Sequence, residues 1–155
     1  MLEKILISSC FLGNKVRYDG KSKAIPHPQI ATWSQQQRLV VICPEMAGGL
    51  AVPRPKAEIK AGQVLTEDGE NVSKAFTDGA TQALALCRQH NIRYALLKDY
   101  SPSCGSTAIY NGDFSSVKIA EQGITTQMLS ANHITVYSEV NLALLVKIIN
   151  ELDAN

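Results

Sequence analysis

Four short apolar runs along the chain predict the strands of a sheet. The runs at residues 4–8 and 39–42 are unbroken, which is the pattern of strands buried on both faces. Residues 93–98 form a third such run, and residues 135–137 form a weaker fourth. Apolar residues at helical spacing predict three helices, over residues 71–90, 123–131 and 139–152.

The order of these elements indicates an α/β fold, because strands alternate with helices along the chain. The length of 155 residues suits a single domain. We therefore expect one three-layer domain over residues 1–155, in which helices cover both faces of a small, largely parallel sheet in a Rossmann-like arrangement. Residues 11–28 and 44–69 contain glycines and prolines that disfavour regular structure, and ordered loops of this length are usually functional.

Composition and charge narrow the class of protein. The formal net charge is +1, so no overall electric field attracts nucleic acid or a membrane surface. The N-terminus carries only a short apolar run after Glu3 and Lys4, and no segment reaches the roughly 20 apolar residues of a membrane span. We expect a cytoplasmic protein, in which reducing conditions favour free thiols or metal ligands over disulfides.

Three of the four cysteines follow the three clearest strands. Cys10, Cys43 and Cys104 come after the first, second and third apolar runs. The carboxyl ends of parallel strands share one edge of a sheet, where open α/β proteins bind their ligands, so we expect the three thiols to lie together. A single cysteine is more often a small buried apolar residue, and Cys87, on the apolar face of a predicted helix, fits that role.

Three thiolates are compatible with several kinds of chemistry. They suit a catalytic zinc site, a 4Fe–4S cluster with one iron open to substrate, or reactive cysteines without metal. His27, His90 and His133 fall in a loop and at helix ends, away from all three cysteines in the sequence. A cysteine–histidine pair is therefore poorly supported, and three soft thiolates favour the cluster.

Other polar residues are predicted near the same edge. Glu45, two positions after Cys43, is a candidate general base, although a solvated loop glutamate explains it equally well. Ser101 and Ser103 are suited either to orienting a substrate or to capping a turn.

Basic residues and small residues add candidates for binding. Arg17 and Arg54 lie in the two long loops, and each is suited to a planar or anionic ligand through paired hydrogen bonds. The Gly105-Ser106-Thr107 segment offers backbone N–H groups to an anion, but such a short motif is common.

Four segments of the chain resemble the thiouracil desulfidase family. They are KILISSCFLGNKVRYDGKSK, VICPEMAGGLAVPRPKAEI, TEDGENVSKAFTDGA and LLKDYSPSCGSTAIYNGDFS, which together span most of the sequence. The motifs C-P-E-x-x-G-G-L-x-x-P-R and S-P-S-C-G-S are specific. The departures from the family pattern, at Ser9, Phe11 and Lys21, do not fall on a candidate metal ligand.

The resemblance implies an oxygen-sensitive enzyme that removes sulfur from thiolated uracils with a 4Fe–4S cluster. Expected substrates are 2-thiouracil, 4-thiouracil and 4-thiouridine monophosphate, and the products are uracil or uridine compounds and hydrosulfide. The resemblance implies that three cysteines hold the cluster and that one iron stays open to substrate. It also implies that Glu45 and Ser101 are the catalytic residues. The metal ligands would be Cys10, Cys43 and Cys104, and the expected substrate-binding residues are Arg17, Arg54, Ser103, Gly105 and Ser106.

The resemblance also implies how such an enzyme works and what it binds. The open iron polarises the C=S bond, and water activated by Glu45 attacks the ring carbon. The partner is a small thiolated pyrimidine rather than polymeric nucleic acid or a membrane, and the protein is expected to be a monomer or small homo-oligomer. Two alternatives remain open: a zinc- or thiolate-dependent hydrolase, and a cluster-bearing redox or oxygen sensor.

Overall fold

The chain folds around a four-stranded parallel sheet. The structure is a computed structural model that describes residues 2–24 and 26–155. In chain order, the elements within these residues are β1 (Ile5–Ser8), a 3-10 turn (Ser9–Leu12), α1 (Pro28–Gln35), β2 (Leu39–Ile42), α2 (Pro44–Ala47), β3 (Ala57–Lys60), β4 (Gln63–Thr66), α3 (Ser73–Gln89), β5 (Tyr94–Leu96), β6 (Ile109–Tyr110), β7 (Lys118–Ile119), α4 (Ile124–Ala131), β8 (Thr135–Tyr137) and α5 (Leu142–Asp153).

The main sheet has the strand order β2-β1-β5-β8, and every neighbouring pair in it is parallel. Its four strands fall within the four predicted runs, and α3, α4 and α5 match the three predicted helices to within three residues at each end. The expected α/β fold with a parallel sheet is therefore confirmed. None of the helices in the described part of the chain is both long and apolar enough to cross a membrane.

Helices cover both faces of the sheet because side chains of β1 alternate between them. Ile5 and Ile7 pack in one buried cluster, and Leu6 packs in another. The first cluster contains residues of α1 and α5, namely Ile30, Trp33, Leu142, Leu145 and Ile149, and the second contains residues of α3 and α4, namely Ala83, Leu84, Cys87 and Leu129. The three-layer arrangement follows from this alternation.

Burial of the strands differs from the expectation for β2. All four residues of β1 are buried, as predicted for a strand covered on both faces. In β2, by contrast, only Ile42 is buried and Val41 is 42% exposed. The reason is position, since β2 is an edge strand of the sheet while β1 lies inside it.

The expectation of irregular structure over residues 44–69 is wrong. This stretch contains α2 and a hairpin of β3 and β4, and the turn residues Ala61 and Gly62 both have positive φ. Two positive φ values belong to a tight hairpin turn that suits the twist of the strands. Residues 11–28, apart from position 25, which lies outside the described residues, are largely irregular, as predicted. Helix α1 was not predicted; it begins at Pro28, and His27 is its N-cap.

Candidate active site

A cavity at the carboxyl edge of the parallel sheet brings the three candidate cysteines together. Cys10 lies in the 3-10 turn after β1, Cys43 caps α2 after β2, and Cys104 lies in the loop after β5. The other residues lining the cavity are Ser8, Ser9, Val16, Arg17, Ile42, Pro44, Glu45, Arg54, Lys98 and Ser101. The three thiols that were expected to lie together therefore line the same cavity.

The turn that carries Cys10 is fixed from both sides. Its carbonyl oxygen accepts hydrogen bonds from the backbone N–H groups of Gly13 at 3.2 Å and Lys23 at 3.0 Å. Gly13 ends the turn with φ of 92°, a conformation that glycine adopts readily. The neighbouring Phe11 is buried in the core, so the turn is anchored by packing as well as by hydrogen bonds.

The helix α2, which follows Cys43, is held against α3 by a contact between backbones. A Cβ atom at Gly79 of α3 would lie 1.9 Å from the carbonyl oxygen of Pro44, and a Cβ at Gly48 would lie 1.9 Å from that of Ala75. Neither position has room for a side chain. The positions of Cys43 and of Glu45 therefore depend on two glycines.

The loop that carries Cys104 is organised around the buried carboxylate of Asp99. Asp99 Oδ1 accepts from the N–H groups of Tyr100, Ser106 and Thr107, and Oδ2 accepts from the hydroxyls of Thr107 and Ser138. Burial alone would raise the pKa of Asp99, but these hydrogen bonds outweigh it and hold the pKa below its ordinary value. The ionised carboxylate of Asp99 thus holds the loop together through these hydrogen bonds.

The same loop is attached to the first turn of α4. The N–H groups of Ile124 and Thr125 donate to the carbonyls of Pro102 and Ser103, both at 2.8 Å, and the Thr126 hydroxyl donates to the carbonyl of Cys104 at 2.9 Å. These bonds satisfy helix N–H groups that would otherwise lack partners.

Ser103, Gly105 and Ser106, expected to bind substrate, are not among the residues that line the cavity. The Ser103 hydroxyl is buried at 2.8 Å from that of Thr125, and a Cβ at Gly105 would lie 2.6 Å from the Ala108 carbonyl oxygen. The N–H groups of Gly105 and Ser106 already donate to Ser101 and Asp99. The anion site expected there is therefore occupied by the protein's own acceptors.

The three thiols share one electrostatic environment. Burial raises the pKa of Cys10 to about 11, with a further rise from Cys43, and burial also raises the pKa of Cys43 and of Cys104. Neutral thiols are thus favoured in the protein alone. A bound metal reverses this preference, because a coordinating thiol is deprotonated outright.

Glu45 forms a partly buried ion pair with Arg54. Arg54 Nε lies 3.2 Å from Glu45 Oε1, and the other guanidinium nitrogens donate to the carbonyls of Ala51 and Val16. Burial raises the pKa of Glu45, while the charge and hydrogen bond of Arg54 oppose the rise. A carboxylate with a raised pKa that faces a cavity is suited to accept a proton from water.

Ser101 and Lys98 complete the polar wall of the cavity. The Ser101 hydroxyl oxygen accepts from the N–H of Cys104 at 2.7 Å, which leaves the hydroxyl hydrogen available to donate into the cavity. Lys98 Nζ forms an ion pair with Glu139 Oε2 at 2.6 Å. Lys98 is not among the residues predicted for the site, although its position just beyond the end of β5 places it at the same edge of the sheet.

A second chamber adjoins the cavity and shares five of its lining residues. Arg17, Glu45, Arg54, Lys98 and Ser101 line both, and the second chamber adds Tyr18, Lys56, Ala57, Asp99, Pro102 and Tyr110. We call this second chamber the vestibule. Its cationic and aromatic side chains suit an anionic planar ligand.

The remaining cysteine and the histidines lie elsewhere. Cys87 is buried between α3 and the sheet, and it lines a different groove, near His133. His27 caps α1, and His90 follows the end of α3. None of these residues, all within the described part of the chain, lines the thiol cavity, which agrees with the structural role expected for Cys87.

The fold and the cavity define a class: an α/β protein with three thiols at the ligand-binding edge of a parallel sheet. Residues 5–141 match the family model described as 2-thiouracil desulfurase. The chain is 37% identical over 148 residues to the uncharacterized protein YbbK of Bacillus subtilis strain 168, an alignment that covers 89% of this chain and 97% of YbbK.

A solved structure provides the third comparison. It is that of the [4Fe-4S]-dependent thiouracil desulfidase TudS, with a TM-score of 0.94 and 47% sequence identity, covering 96% of this chain and 98% of that one. The chain belongs to the 2-thiouracil desulfurase family.

Proposed function

We propose that the protein is a 4Fe–4S-dependent desulfidase that hydrolyses the thiocarbonyl group of thiolated uracils. The observation that carries this proposal is the convergence of three free thiols, the Glu45 carboxylate and one serine hydroxyl on a single cavity. The family match and the likeness to TudS support the same activity.

The residues present fit a cluster held by Cys10, Cys43 and Cys104. Thiolates are the protein ligands that iron–sulfur clusters use, and each binds a different iron atom, so they stand farther apart than the ligands of one ion. Within residues 2–24 and 26–155, no three Cys, His, Asp or Glu side chains form a group that could hold a single metal ion. The donor set of three soft thiolates favours a cluster over the zinc alternative.

When bound, such a cluster with one iron free of protein ligands supplies a thiophilic Lewis acid that polarises the C=S bond. Glu45 is the base that takes a proton from the attacking water, because one of its oxygens is held by Arg54 and its side chain borders the cavity. Ser101 donates its hydroxyl hydrogen to the water or to the ring. The net change is C=S + H2O → C=O + HS⁻ + H⁺, with no change of oxidation state.

The vestibule supports a nucleotide rather than a free base as the preferred substrate. If the sulfur points toward the thiols, the rest of the molecule extends into the vestibule. There Arg17 and Lys56 offer cations for a phosphate, and Tyr18 and Tyr110 offer aromatic surface. We therefore propose 4-thiouridine monophosphate as a substrate in addition to 2-thiouracil and 4-thiouracil.

The thiol chemistry also bears on where the protein works. We place it in the cytoplasm, where reducing conditions keep thiols available for metal. A cluster that opens one iron to a substrate cavity is exposed to oxygen as well, so we expect the activity to be oxygen-sensitive.

The direct test is anaerobic reconstitution with iron and sulfide, followed by measurement of thiocarbonyl absorbance with each of the three substrates. We expect a brown protein that converts all three and has its highest kcat/KM on the monophosphate. A colourless zinc protein, or a brown protein that leaves every substrate unchanged, would contradict the proposal. The second result would favour the sensor alternative.

A matched pair of variants tests the role of Glu45. Glu45→Gln should keep the iron content and lower kcat by roughly a hundredfold or more, because the general base is lost. Glu67→Gln, on the exposed hairpin side of the molecule, is the control and should turn over normally. Wild-type turnover by Glu45→Gln would show that this residue is not the base.

A further inference from the structure

One cation of the site has no role in the proposed reaction. Lys98 lines both the thiol cavity and the vestibule, so its side chain stands where the two chambers meet. A substrate that places its sulfur among the thiols and its remaining groups in the vestibule has its ring at that junction. Lys98 therefore borders the place where such a ring would lie.

Two hydrogen bonds hold the ammonium of Lys98 in place, and one of its N–H groups has no acceptor among the described residues. Nζ lies 2.6 Å from Glu139 Oε2 and donates to the carbonyl of Asp99 at 2.9 Å. Glu139 in turn accepts the N–H of Asp99 through Oε1 at 2.7 Å, which ties the ion pair to the backbone of the loop. An ammonium has three donors, and two hydrogen-bond acceptors among the described residues use two of them, so one N–H is left for a ligand.

The charges of the cavity explain why a cation is needed there. Arg54 orients Glu45, and Arg17 is assigned to the phosphate in the vestibule, so neither is placed to stabilise charge on the ring. Addition of water to the ring carbon puts negative charge on the substrate, and breaking the C–S bond releases hydrosulfide into a cavity that already contains thiolates. A preorganised donor aimed at such charge stabilises the transition state.

We propose that Lys98, positioned by Glu139, is a further catalytic residue that contacts the pyrimidine ring and stabilises the negative charge formed during sulfur removal. This inference rests on the proposed desulfidase function. Water supplies the oxygen of the new C=O bond, sulfur leaves with the electron pair of the C–S bond, and no electron donor is required.

The test uses a second lysine as a matched control. Lys118 Nζ lies 3.7 Å from the centroid of the Tyr100 ring and Lys98 Nζ lies 5.2 Å from it, but Lys118 lines neither chamber. Lys98→Met and Lys118→Met remove the same charge and keep a similar apolar stem. Rates are normalised to iron content, and thermal unfolding is followed for each protein.

We expect Lys98→Met to lower kcat about a hundredfold with KM within about threefold, as for loss of a donor to a developing anion. The dissociation constant of uracil, measured by calorimetry on the reconstituted protein, should also stay within about threefold, because the neutral product lacks that charge. Lys98→Arg, which keeps the charge, should recover most of the rate. Lys118→Met should match wild type.

Glu139 is tested as a positioning residue by a double-mutant cycle. Glu139→Gln should lower kcat about tenfold, and the Lys98→Met/Glu139→Gln protein should be no slower than Lys98→Met alone, because both changes act through one group.

Several outcomes would overturn the proposal. One is that Lys98→Met and Lys118→Met turn over at equal rates. Another is that Lys98→Met loses uracil affinity by the same factor as kcat. The third is that the losses of Lys98→Met and Glu139→Gln add up in the double variant. If wild-type protein itself fails to convert thiouracil, the proposed function fails instead, so the two failures are distinguishable.

Discussion

Two arginine–carboxylate pairs lie at opposite edges of the parallel sheet, and they are built differently. At the amino edge, Arg38 donates to both carboxylate oxygens of Asp153, at 2.8 and 3.0 Å, and to the carbonyl of Glu3 at 2.8 Å. At the carboxyl edge, Arg54 reaches one oxygen of Glu45 at 3.2 Å. Among the described residues no donor reaches the other oxygen of Glu45, which leaves it free for a ligand.

The difference separates a pair that maintains structure from a pair that can act on a ligand. The Arg38 pair joins the start of the sheet to the end of α5, and both carboxylate oxygens of Asp153 already accept hydrogen bonds from Arg38. The Glu45 pair holds a carboxylate beside a cavity without using all of its capacity. We therefore expect changes at the amino edge to alter stability alone, and changes at the carboxyl edge to alter activity.

The largest effect is expected on removal of a thiol from the carboxyl edge. Cys104→Ala should lose most of its iron and retain less than about a hundredth of the activity, since a ligand is missing. Cys87→Ala is the control: it should keep iron and activity and lose about 1 kcal/mol of unfolding free energy. Iron and acid-labile sulfide per chain, measured after anaerobic reconstitution, decide between them. Equal iron content in the two variants would break the comparison.

Exchanging the two arginines for methionine tests the comparison directly. Arg54→Met leaves the partly buried Glu45 without its partner, so the pKa of Glu45 should rise further and kcat should fall about a hundredfold. Arg38→Met should leave the rate per cluster unchanged and lower the unfolding free energy by about 2 kcal/mol, because the hydrogen bonds of the buried guanidinium to Asp153 and to the carbonyl of Glu3 are lost. Turnover and urea unfolding are measured on both. A slow Arg38→Met enzyme of normal iron content would contradict the division.

The contact of α2 with α3 connects stability to the site. Gly79→Ala places a methyl group where the Pro44 carbonyl lies, so α2 must move; we expect a loss of about 2 kcal/mol and a slower enzyme. Thr81→Ala, on the exposed side of α3, should change neither by a measurable amount. Urea unfolding and steady-state kinetics check both. Unchanged kinetics in Gly79→Ala would mean that α2 does not set the position of Glu45.

The smallest effect, and the one that depends on pH, is expected at Asp99. Its pKa is lowered in the folded state, so its contribution to stability is present above the unfolded pKa and is lost as pH falls through the folded value. Asp99→Asn should be less stable than wild type by about 1.5 kcal/mol at pH 7, and the difference should narrow toward pH 3. Urea unfolding at both pH values measures it, with exposed Asp68→Asn as control. A difference independent of pH would contradict this account.

The sequence predicted the sheet and the meeting of the thiols because both depend on local pattern. Apolar runs predicted β1, β2 and β5, and the shared edge of parallel strands then predicted that Cys10, Cys43 and Cys104 lie together. The hairpin of β3 and β4 was missed because its turn, Ala61-Gly62, lacks the asparagine or aspartate that usually indicates positive φ at both positions.

Tertiary contacts explain the other differences. Ser103 and Ser106 stand in a motif that suggested ligand binding, but their partners are Thr125 and Asp99, which lie on other segments. Lys98 was overlooked because its neighbour in space, Glu139, is far away in the sequence. No local pattern reports either contact.

The attachment of the Cys104 loop to α4 has a consequence for motion. The N–H groups of Ile124 and Thr125 are bonded to the carbonyls of Pro102 and Ser103, so the loop cannot leave its place unless the first turn of α4 opens. Amide hydrogen exchange at these two positions therefore reports how often the loop opens. The time that the Cys104 thiol stays at the cavity is therefore set by how long the first turn of α4 stays closed.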